Sequence, residues 1–381
     1  MKLVLFFSRG VSLDLWIEKG IFDREKLLYE QHLKNNTLSK VYWFTYGKDD
    51  IKLADKLKKN GQLHQKIEII QMSSTFNIPK VGSYIYSVFI PFIHSNILKN
   101  SDIYKTNQTD GSWSAVIAKK LYNKKLLYRT GFTMSQLENN LKRHNILIRK
   151  VIEIVENFAY NNCHKAVVAS KHNKAYILNN YKINPTKVEI IYNFIDRDRF
   201  YDFNQDRKEN IVFVGRLSDE KNIVNLIKAS HLANISLDIY GSGPLKHELE
   251  KLIENNSFNV TLKGNVPNSE LPNIFSKSKY CALVSKHEGM PKALIEGMAC
   301  GCICIGTNVS GINEVISKDT GILANDISVQ EIYISIQKAI SLNKDESNNF
   351  KNNMAKNIND NFILSSIVDK ETIFLKELNG E

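Results

Sequence analysis

The chain contains 381 residues, of which 43% are hydrophobic and 24% are charged, and its formal net charge is +11. These values exclude a disordered or collagen-like chain, and the length suits two domains with ordinary cores. The longest apolar stretch, residues 84–93, is shorter than the ~18 residues that span a bilayer, and the N-terminus lacks a signal-peptide pattern, so we expect a cytoplasmic protein.

The charge is distributed unevenly along the chain. Residues 1–190 contain 30 Lys and Arg against 15 Asp and Glu, a formal charge of +15, whereas residues 191–381 contain 21 against 25, or −4. A basic half suits an anionic membrane, an anionic acceptor or a nucleic acid, and it is equally compatible with a merely solvated surface.

Cysteine usage indicates structural thiols rather than a metal site. Three of the five cysteines, Cys300, Cys302 and Cys304, alternate in sequence and would share one face of a strand. That arrangement is poor for tetrahedral zinc, and an odd number in a chain without an export signal is typical of reduced thiols.

Short apolar segments rich in β-formers alternate with helix-length segments through the first half. The predicted strands are residues 3–7, 41–45, 67–70, 103–105, 126–128, 166–169 and 188–191. Strands separated by helices indicate βαβ units in a parallel, doubly wound sheet. We place this first domain at residues 1–192.

The second half repeats the pattern and forms a second domain, residues 193–361. Its predicted strands are residues 211–214, 237–240, 260–262, 281–284 and 303–305. Residues 341–361 are polar and predict a solvent-exposed helix, and residues from about 362 to 381 have the apolar spacing of a helix that packs back onto the first domain. The fold class is α/β with two Rossmann-like domains.

The motif VGRLSDEKN at residues 214–222 follows the first strand of the second domain. Gly215 ends the strand, and Arg216 and Lys221 come next, at the edge where open α/β sheets bind ligands. Arg offers a planar fork of donors and Lys a mobile point charge, so together they suit a diphosphate.

Two weaker motifs follow the next two strands. The segment YGSGPLKHELE, residues 240–250, is most simply a compact strand-to-helix turn. In KGNVPNSEL, residues 263–271, a loop at Asn265 and Val266 leaves backbone groups free to recognise the edge of a flat base.

The segment from 285 to 316 carries the strongest pattern. Glu288 and Gly289 lie in a strand-to-helix loop, a helix is predicted to begin at about Pro291, and Glu296 lies within it. The N–H groups and dipole at the start of a helix bind anions, and the glycine permits close approach of the backbone. The two carboxylates are placed to accept hydrogen bonds from sugar and ribose hydroxyls.

Together these motifs closely resemble the donor half of the family 4 glycosyltransferases of the GT-B fold, with coverage from about residue 166 to 314. The resemblance implies two Rossmann-like domains that face each other across a cleft. It implies transfer from a nucleoside diphosphate sugar, with UDP favoured over GDP, to a glycan or lipid-linked acceptor in bacterial surface polysaccharide or lipopolysaccharide synthesis. Retention of anomeric configuration and no requirement for a metal or other cofactor are also implied.

Carried over by position, the resemblance assigns roles to individual residues. Arg216 and Lys221 hold the diphosphate, Glu296 binds the ribose, and Glu288 orients the sugar; we predict that Arg216, Lys221 and Glu288 are the catalytic residues. The remaining predicted donor-binding residues use their backbone groups: Gly215, Asn265, Val266, Gly289, Met290, Pro291 and Lys292.

The first domain is expected to bind the acceptor, and here the sequence departs from the family. Relatives often carry a Gly-rich loop after the first strand and a histidine at a later strand end; this chain has one glycine, Gly10, and no histidine there. The acceptor-side candidates are residues at the predicted strand ends: Arg9, Gly10, Asn107, Asp110 and Arg129. Acceptor contact, charge balance and purely structural roles stay open for Asp110 and Arg129.

Two alternative functions remain at this stage. A nucleotide-sugar 2-epimerase shares the architecture, and incubation with UDP-GlcNAc alone would distinguish it from a transferase. A non-enzymatic nucleic-acid-binding protein is prompted by the basic half, but no recognised binding signature supports it.

Membrane contact is a separate hypothesis. Residues 141–158 predict a helix on which Lys142, Arg143, Arg149 and Lys150 lie beside apolar positions. Such a helix can rest on anionic headgroups, which would make the protein peripheral on the inner face of the cytoplasmic membrane. The alternative is a core-packed helix with a basic outer face.

Overall fold

The computed structural model describes residues 1–131, 133–141 and 145–380. The chain divides into two compact units, the first comprising Met1–Ile191 and Ile367–Glu381 and the second Tyr192–Ser366. The predicted boundary at residue 192 lies next to this division, and the C-terminal segment belongs to the first unit.

The first unit is built on a fully parallel sheet with the strand order β3-β2-β1-β4-β5-β6-β7. Its inner strands are buried on both faces and mostly apolar, as expected for a sheet covered by helices on both sides. The strands are β1 (Lys2–Phe6), β2 (Lys40–Phe44), β3 (Ile67–Ile70), β4 (Ile103–Thr106), β5 (Lys125–Thr130), β6 (Lys165–Val168) and β7 (Val188–Ile190).

Helices of the first unit connect these strands, and several begin at a Ser or Asn side chain that accepts a backbone N–H of the first turn. They are α1 (Leu13–Glu18), α2 (Phe22–Lys34), α3 (Asp50–Lys59), α4 (Gly82–Ile93), α5 (Ser95–Lys99), α6 (Ser112–Tyr122), α7 (Met134–Leu141), α8 (Ile146–Asn162) and α9 (Lys171–Asn180), with 3-10 turns at Ser74–Phe76 and Pro185–Lys187. Buried residues of α4, α6, α8 and α9 share one hydrophobic cluster with alternate residues of the strands, so these helices form a single layer on one face of the sheet.

The second unit contains another fully parallel sheet, ordered β10-β9-β8-β11-β12-β13. Its strands are β8 (Lys208–Val214), β9 (Ser236–Tyr240), β10 (Val260–Gly264), β11 (Ser278–Leu283), β12 (Ile303–Thr307) and β13 (Ile322–Ala324). The sequence did not predict β13, because three residues after a glycine give no readable period. The predicted α/β class with two doubly wound sheets is confirmed.

Helices of the second unit are α10 (Ile223–Leu232), α11 (Lys246–Asn256), α12 (Leu271–Lys277), α13 (Lys292–Ala299), α14 (Ile312–Val315), α15 (Val329–Ile340) and α16 (Lys344–Asn361), with a 3-10 turn at Asp219–Lys221. The predicted solvent-exposed helix corresponds to α16, but Met354 and Ile358 are fully buried, since one face of α16 packs against α13. The last helix, α17 (Leu364–Asn379), belongs to the first unit from Ile367 onward.

Helix α17 is fixed to the first unit by a buried ion pair. Lys105 of β4 donates to Glu371 Oε1 at 2.5 Å, both side chains are at most 1% exposed, and His32 Nε2 lies 3.3 Å from the same oxygen. Burial by itself raises the pKa of Glu371, but Lys105, His32 and Arg129 outweigh it, so the pKa lies well below its usual range. The folded state favours the charged form of Glu371, whose pKa in an unfolded chain is about 4. The pair therefore stabilises the first unit above this pH, and the stabilisation decreases as the pH falls below it.

We predict that Lys105→Met lowers the free energy of unfolding of the first unit by about 3–5 kcal/mol, because it removes the ammonium that pairs with the buried Glu371 carboxylate. The double variant Lys105→Met with Glu371→Leu should recover a large part of this loss. The three tryptophans, Trp16, Trp43 and Trp113, all lie in the first unit, so urea unfolding followed by tryptophan fluorescence reports on it selectively. Additive effects of the two substitutions would contradict a direct pair.

Candidate functional site

Strand β8 marks the point in the second unit where the winding of the sheet reverses. The chain proceeds from β8 to β9 and β10 on one side and then returns to add β11 on the other side of β8. The loops that follow β8 and β11 therefore start next to each other at the carboxyl edge of the sheet, the position at which doubly wound sheets bind ligands. The motifs with Arg216, Lys221 and Glu288 occupy these two loops.

The loop after β8 places its two cations differently. Gly215 N–H continues the sheet by donating to Tyr240 O at 3.0 Å, and Leu217 is buried. The Arg216 side chain is exposed and forms no hydrogen bond or ion pair with any residue that the structure describes, although its backbone carbonyl accepts from Ser218 N–H at 3.1 Å. Lys221 closes the 3-10 turn, and its side chain is 19% exposed. Arg216 is thus available to a ligand, while Lys221 is already held.

Lys221 is held by Glu288. Its Nζ donates to Glu288 Oε1, and Ser285 Oγ donates to the same oxygen at 2.7 Å. The backbone ties the two loops together as well, since Lys286 N–H donates to Glu220 O at 2.8 Å. The structure therefore brings together two residues that are 67 positions apart and that the sequence placed at the same sheet edge.

This contact leaves chemical capacity on both partners. Within the described part of the chain, Glu288 Oε2 receives no hydrogen bond, so it can accept one from a ligand hydroxyl. An ammonium has three donors, of which the carboxylate takes one, so Lys221 can also donate to an anion. The pair presents a positive and a negative group side by side.

Helix α13 begins next to Glu288. It runs from Lys292 with Pro291 directly before it, and Met290, Pro291 and Glu296 are buried. Lys292 N–H donates to Met290 O at 3.0 Å, so this amide, which the sequence assigned to the ligand, is used inside the loop. Among the described residues, the amides of Gly289 and Met290 have no protein acceptor and stay available.

Two glycines allow the loops at this edge to approach each other closely. A Cβ on Gly241 would lie 1.8 Å from Gly215 O, so the turn after β9, interpreted from the sequence as simply compact, packs directly against the loop after β8. Gly311 has a φ of +82°, and a Cβ there would lie 2.5 Å from Glu288 O. The loop after β12, which contains Gly311, therefore packs directly against the backbone of Glu288.

The predicted base-recognising residues lie at the end of β10. Asn265 is exposed and Val266 is half-buried, and the carbonyl of the preceding Gly264 accepts from Gly241 N–H at 2.7 Å. The loop is thus joined to the turn after β9, and its recognition role remains a prediction.

In the first unit, Arg9 and Asp110 meet at the corresponding reversal point, between β1 and β4. Arg9 forms a bidentate pair with Asp110 at 3.0 and 2.9 Å, and its guanidinium lies 3.6 Å from the centre of the Tyr84 ring. Burial raises the pKa of Asp110, and the attraction of Arg9 opposes this. Gly10 beside them is exposed, with a φ of +76°.

The other two acceptor-side candidates belong to the buried polar network around α17. Asn107 Oδ1 accepts from Tyr29 OH at 3.4 Å, and the ring of Tyr29 lies 4.9 Å from Lys105 Nζ. Arg129 is 9% exposed and helps to lower the pKa of Glu371. These contacts give Asn107 and Arg129 a structural role, and any acceptor contact remains a prediction.

Three supporting residues of the second unit were not predicted from the sequence. Ser285 donates to Glu288, Thr307 donates to Ser285 O at 2.7 Å, and Gly311 admits Glu288 into contact. Ser285 and Thr307 are polar residues at the ends of apolar strands, a signal that could have identified them. Across the described residues no group of three His, Cys, Asp or Glu side chains could hold a metal ion.

The helix proposed for membrane contact differs from its prediction. Helix α8 runs from Ile146 to Asn162, and Lys142 and Arg143 lie outside the described residues. The core-packed alternative with a basic outer face is wrong for its first half, because the exposed side chains include Ile146, Leu147, Ile148, Val151 and Ile154. No described helix is long and apolar enough to cross a membrane.

Comparison with known proteins identifies glycosyltransferase families in both halves of the chain. Residues 194–357 match the family model for glycosyl transferases of group 1, and residues 41–199 match the model for glycosyltransferase family 4. The chain is 26% identical over 273 residues to an uncharacterized glycosyltransferase of Methanocaldococcus jannaschii, covering 71% of each protein.

Two further relatives have named activities. One is the N-acetylgalactosamine-N,N'-diacetylbacillosaminyl-diphospho-undecaprenol 4-alpha-N-acetylgalactosaminyltransferase of Campylobacter jejuni, 35% identical over 164 residues, or 39% of this chain and 43% of that protein. The other is the N-acetyl-alpha-D-glucosaminyl L-malate synthase of Bacillus anthracis, 26% identical over 261 residues, or 64% of each protein.

Solved structures share the fold over the whole chain. Anabaena HepE in complex with UDP has a TM-score of 0.76 at 15% identity, covering 99% of this chain and all of that one. The lipopolysaccharide outer core galactosyltransferase WaaB has a TM-score of 0.66 at 18% identity, again covering 99% and 100%. At such identities the likeness establishes the fold.

We predict that Gly311→Ala loosens the loop that carries Glu288, because the new Cβ would collide with Glu288 O. Gly264→Ala is the matched control: Gly264 has a similar φ of +73°, but its Cβ would meet nothing within 4 Å. Hydrogen–deuterium exchange of peptides covering residues 285–291 should be faster, by about tenfold, in the first variant only. Equal exchange in the two variants would contradict the support assigned to Gly311.

Proposed function

The chain belongs to the family 4 glycosyltransferases of the GT-B fold, and from this premise we propose that it transfers a sugar from a nucleoside diphosphate sugar to a glycan or lipid-linked acceptor. We favour UDP over GDP as the nucleotide and retention of the anomeric configuration. The biological setting that we propose is bacterial surface polysaccharide or lipopolysaccharide synthesis.

The donor-site proposal rests mainly on the contact between Lys221 and Glu288. Lys221 and Glu288 come from two loops on either side of the reversal point of the sheet, and their side chains are in direct contact. A diphosphate sugar needs a cation for its phosphates and an acceptor of hydrogen bonds for its sugar hydroxyls, in neighbouring positions. The Lys221–Glu288 pair offers both, with Glu288 Oε2 free for the hydroxyl.

The chemical demand is stabilisation of the leaving group. When the C1–O bond of the donor breaks, negative charge gathers on the diphosphate and positive character on the sugar ring. In the proposed site Arg216, Lys221 and the amides of Gly289 and Met290 receive the negative charge. Preorganised donors of this kind are each worth about 2–4 kcal/mol of barrier.

Glu296 is proposed to bind the ribose hydroxyls. It lies in the second turn of α13, is 8% exposed and already interacts with other residues of the protein, so ribose hydroxyls would be additional partners of its carboxylate. We therefore propose that neither Glu288 nor Glu296 acts as a nucleophile. The acceptor would attack on the face that the leaving group departs from, without a metal ion.

The acceptor class is proposed from the first unit and from relatives. The Campylobacter relative is named for a diphospho-undecaprenol substrate, and residues 1–190 of this chain carry a formal charge of +15. A polyprenyl diphosphate is anionic and resides in a membrane, so a basic unit suits it. We propose a cytoplasmic enzyme with peripheral contact to an anionic membrane.

For the donor site we predict that Arg216→Ala, Lys221→Ala and Glu296→Ala each weaken UDP binding by about 10–100-fold, since each removes a charged hydrogen-bond partner of the nucleotide. Isothermal titration calorimetry with UDP and GDP measures this. Lys228→Ala is the control, because Lys228 is an exposed cation of α10 in the same unit. Unchanged UDP and GDP affinity in all three variants would refute the donor site.

For the chemical step we predict that Glu288→Gln lowers kcat by about 10²–10³-fold, because the amide loses the charge that holds Lys221. A thermal-stabilisation screen with UDP, GDP, ADP and their sugars first identifies the donor. Nucleotide release with a polyprenyl-diphosphate-linked saccharide then measures turnover, and the anomeric configuration of the product is read by NMR. Full activity in EDTA is expected, and inversion of configuration would overturn the retaining mechanism.

A further inference from the structure

Helix α4 exposes an entirely apolar face. Six large side chains of this 12-residue helix are between 38% and 54% exposed: Tyr84, Ile85, Val88, Phe89, Phe92 and Ile93. They recur with helical spacing on one half of the circumference, while Tyr86, Ile90 and Pro91 on the other half are buried in the core. Packing against the core of the first unit therefore explains the apolar residues on one face of α4 but not those on its exposed face.

The apolar surface extends beyond α4 itself. Ile78 and Val81, just before the helix, are 50% and 47% exposed. A helix of this length spans roughly 18 Å, and a contiguous apolar patch on this scale is characteristic of a binding surface. Since α4 is too short to cross a bilayer, its face suits a partner that it lies against.

The sequence segment that contains α4 carries positive charge only. Residues 69–101 contain no Asp or Glu, while Lys80 and Lys99 stand at the two ends of the helical segment, and both are exposed. An apolar helix face bordered by lysines, within a unit of strongly positive charge, complements an anionic surface with an apolar interior.

Helix α8 presents a second apolar face in the same layer. Both α4 and α8 pack against α6, which lies between them, and the exposed residues of α8 include Leu147, Val151 and Ile154 at helical spacing. Arg149 and Lys150 lie on the same helix. Two neighbouring helices thus leave large apolar side chains uncovered on the outside of one layer.

We propose that the apolar face of α4, together with that of α8 on the other side of α6, docks on the surface of an anionic bilayer. The helices lie in the plane of the headgroups, their apolar side chains enter the acyl boundary, and the lysines contact lipid phosphates. The biological role of this docking rests on the proposed function, but the docking itself requires no sugar transfer.

The N-terminal end of α4 connects this surface to the acceptor-side candidates. Ser83 and Tyr84 in its first turn contact Arg9, which pairs with Asp110 at the reversal point of the first sheet. Docking through α4 would hold Arg9 and Asp110 within about one helix length of the lipid headgroups. The sugar of a lipid-linked acceptor is held near the membrane surface, so this placement suits contact with Arg9 and Asp110.

A second copy of the chain is the competing occupant of this face. Association through α4 would bring two basic surfaces together, because the segment supplies lysines and no carboxylates to pair with them. Like charges facing each other oppose such a dimer, whereas anionic lipid relieves the repulsion. The charge therefore favours the bilayer.

The test is co-sedimentation of the full chain with phosphatidylcholine vesicles, with and without about 30% phosphatidylglycerol, without any sugar donor. We expect binding to the anionic vesicles and little to the neutral ones. Val88→Ser with Phe92→Ser should lower the partition coefficient about tenfold or more, and Lys80→Gln with Lys99→Gln should remove most of the preference for anionic lipid.

Matched controls separate docking from folding and from catalysis. Ile51→Ser with Ile334→Ser replaces two side chains that are 43% and 45% exposed on other helices, and it should leave vesicle binding unchanged. Unfolding followed by tryptophan fluorescence should be the same for all variants. UDP affinity, measured separately, tests the proposed donor site and is expected to be unaffected by the α4 substitutions.

Three results would overturn the proposal. These are equal vesicle binding by the wild-type chain and the Val88/Phe92 variant, no vesicle binding by the wild-type chain, or a lipid-free dimer in analytical ultracentrifugation that the α4 substitutions dissociate. If vesicle binding follows the expectation but UDP does not bind, the docking surface stands and the proposed function fails.

Discussion

The proposed donor site depends on how strand β8 is paired. It bonds to β9 on one side and to β11 on the other, so the chain must reverse its winding at this strand. Two loops that are far apart in sequence then leave the sheet side by side, which lets Lys221 meet Glu288. The close approach at Gly215 and Gly241 and the support from Gly311 serve to hold these loops at that edge.

The two units share one arrangement, an ion pair at the point where the winding of the sheet reverses. In the first, Arg9 and Asp110 pair across the reversal between β1 and β4; in the second, Lys221 and Glu288 pair across the reversal between β8 and β11. In both, a cation is oriented by a carboxylate before any ligand arrives. Such orientation lowers the entropy that a side chain loses on binding, although an arriving anion must compete with the carboxylate.

Much of this architecture was predictable because its signals are local. Period and composition identified the strands other than β13, and the strand-end motifs placed Arg216, Lys221 and Glu288 at one sheet edge. What the sequence could not provide is contact geometry. The role of Ser285, the use of the Lys292 amide inside its loop and the collision that excludes a side chain at Gly311 depend on neighbours distant in sequence. The sequence also could not show that one face of α4 is exposed, since an apolar segment has the same residue pattern whether or not another element covers it.

The burial of Lys105 against Glu371 has a consequence for how the protein is made. The first unit is discontinuous, and its central strand β4 carries a lysine whose ion-pair partner, Glu371, lies on α17. During synthesis the second unit, one continuous segment, can complete its sheet while the first still awaits α17. The first unit therefore completes its core only after the second unit has been synthesised, although most of its residues come first in the chain.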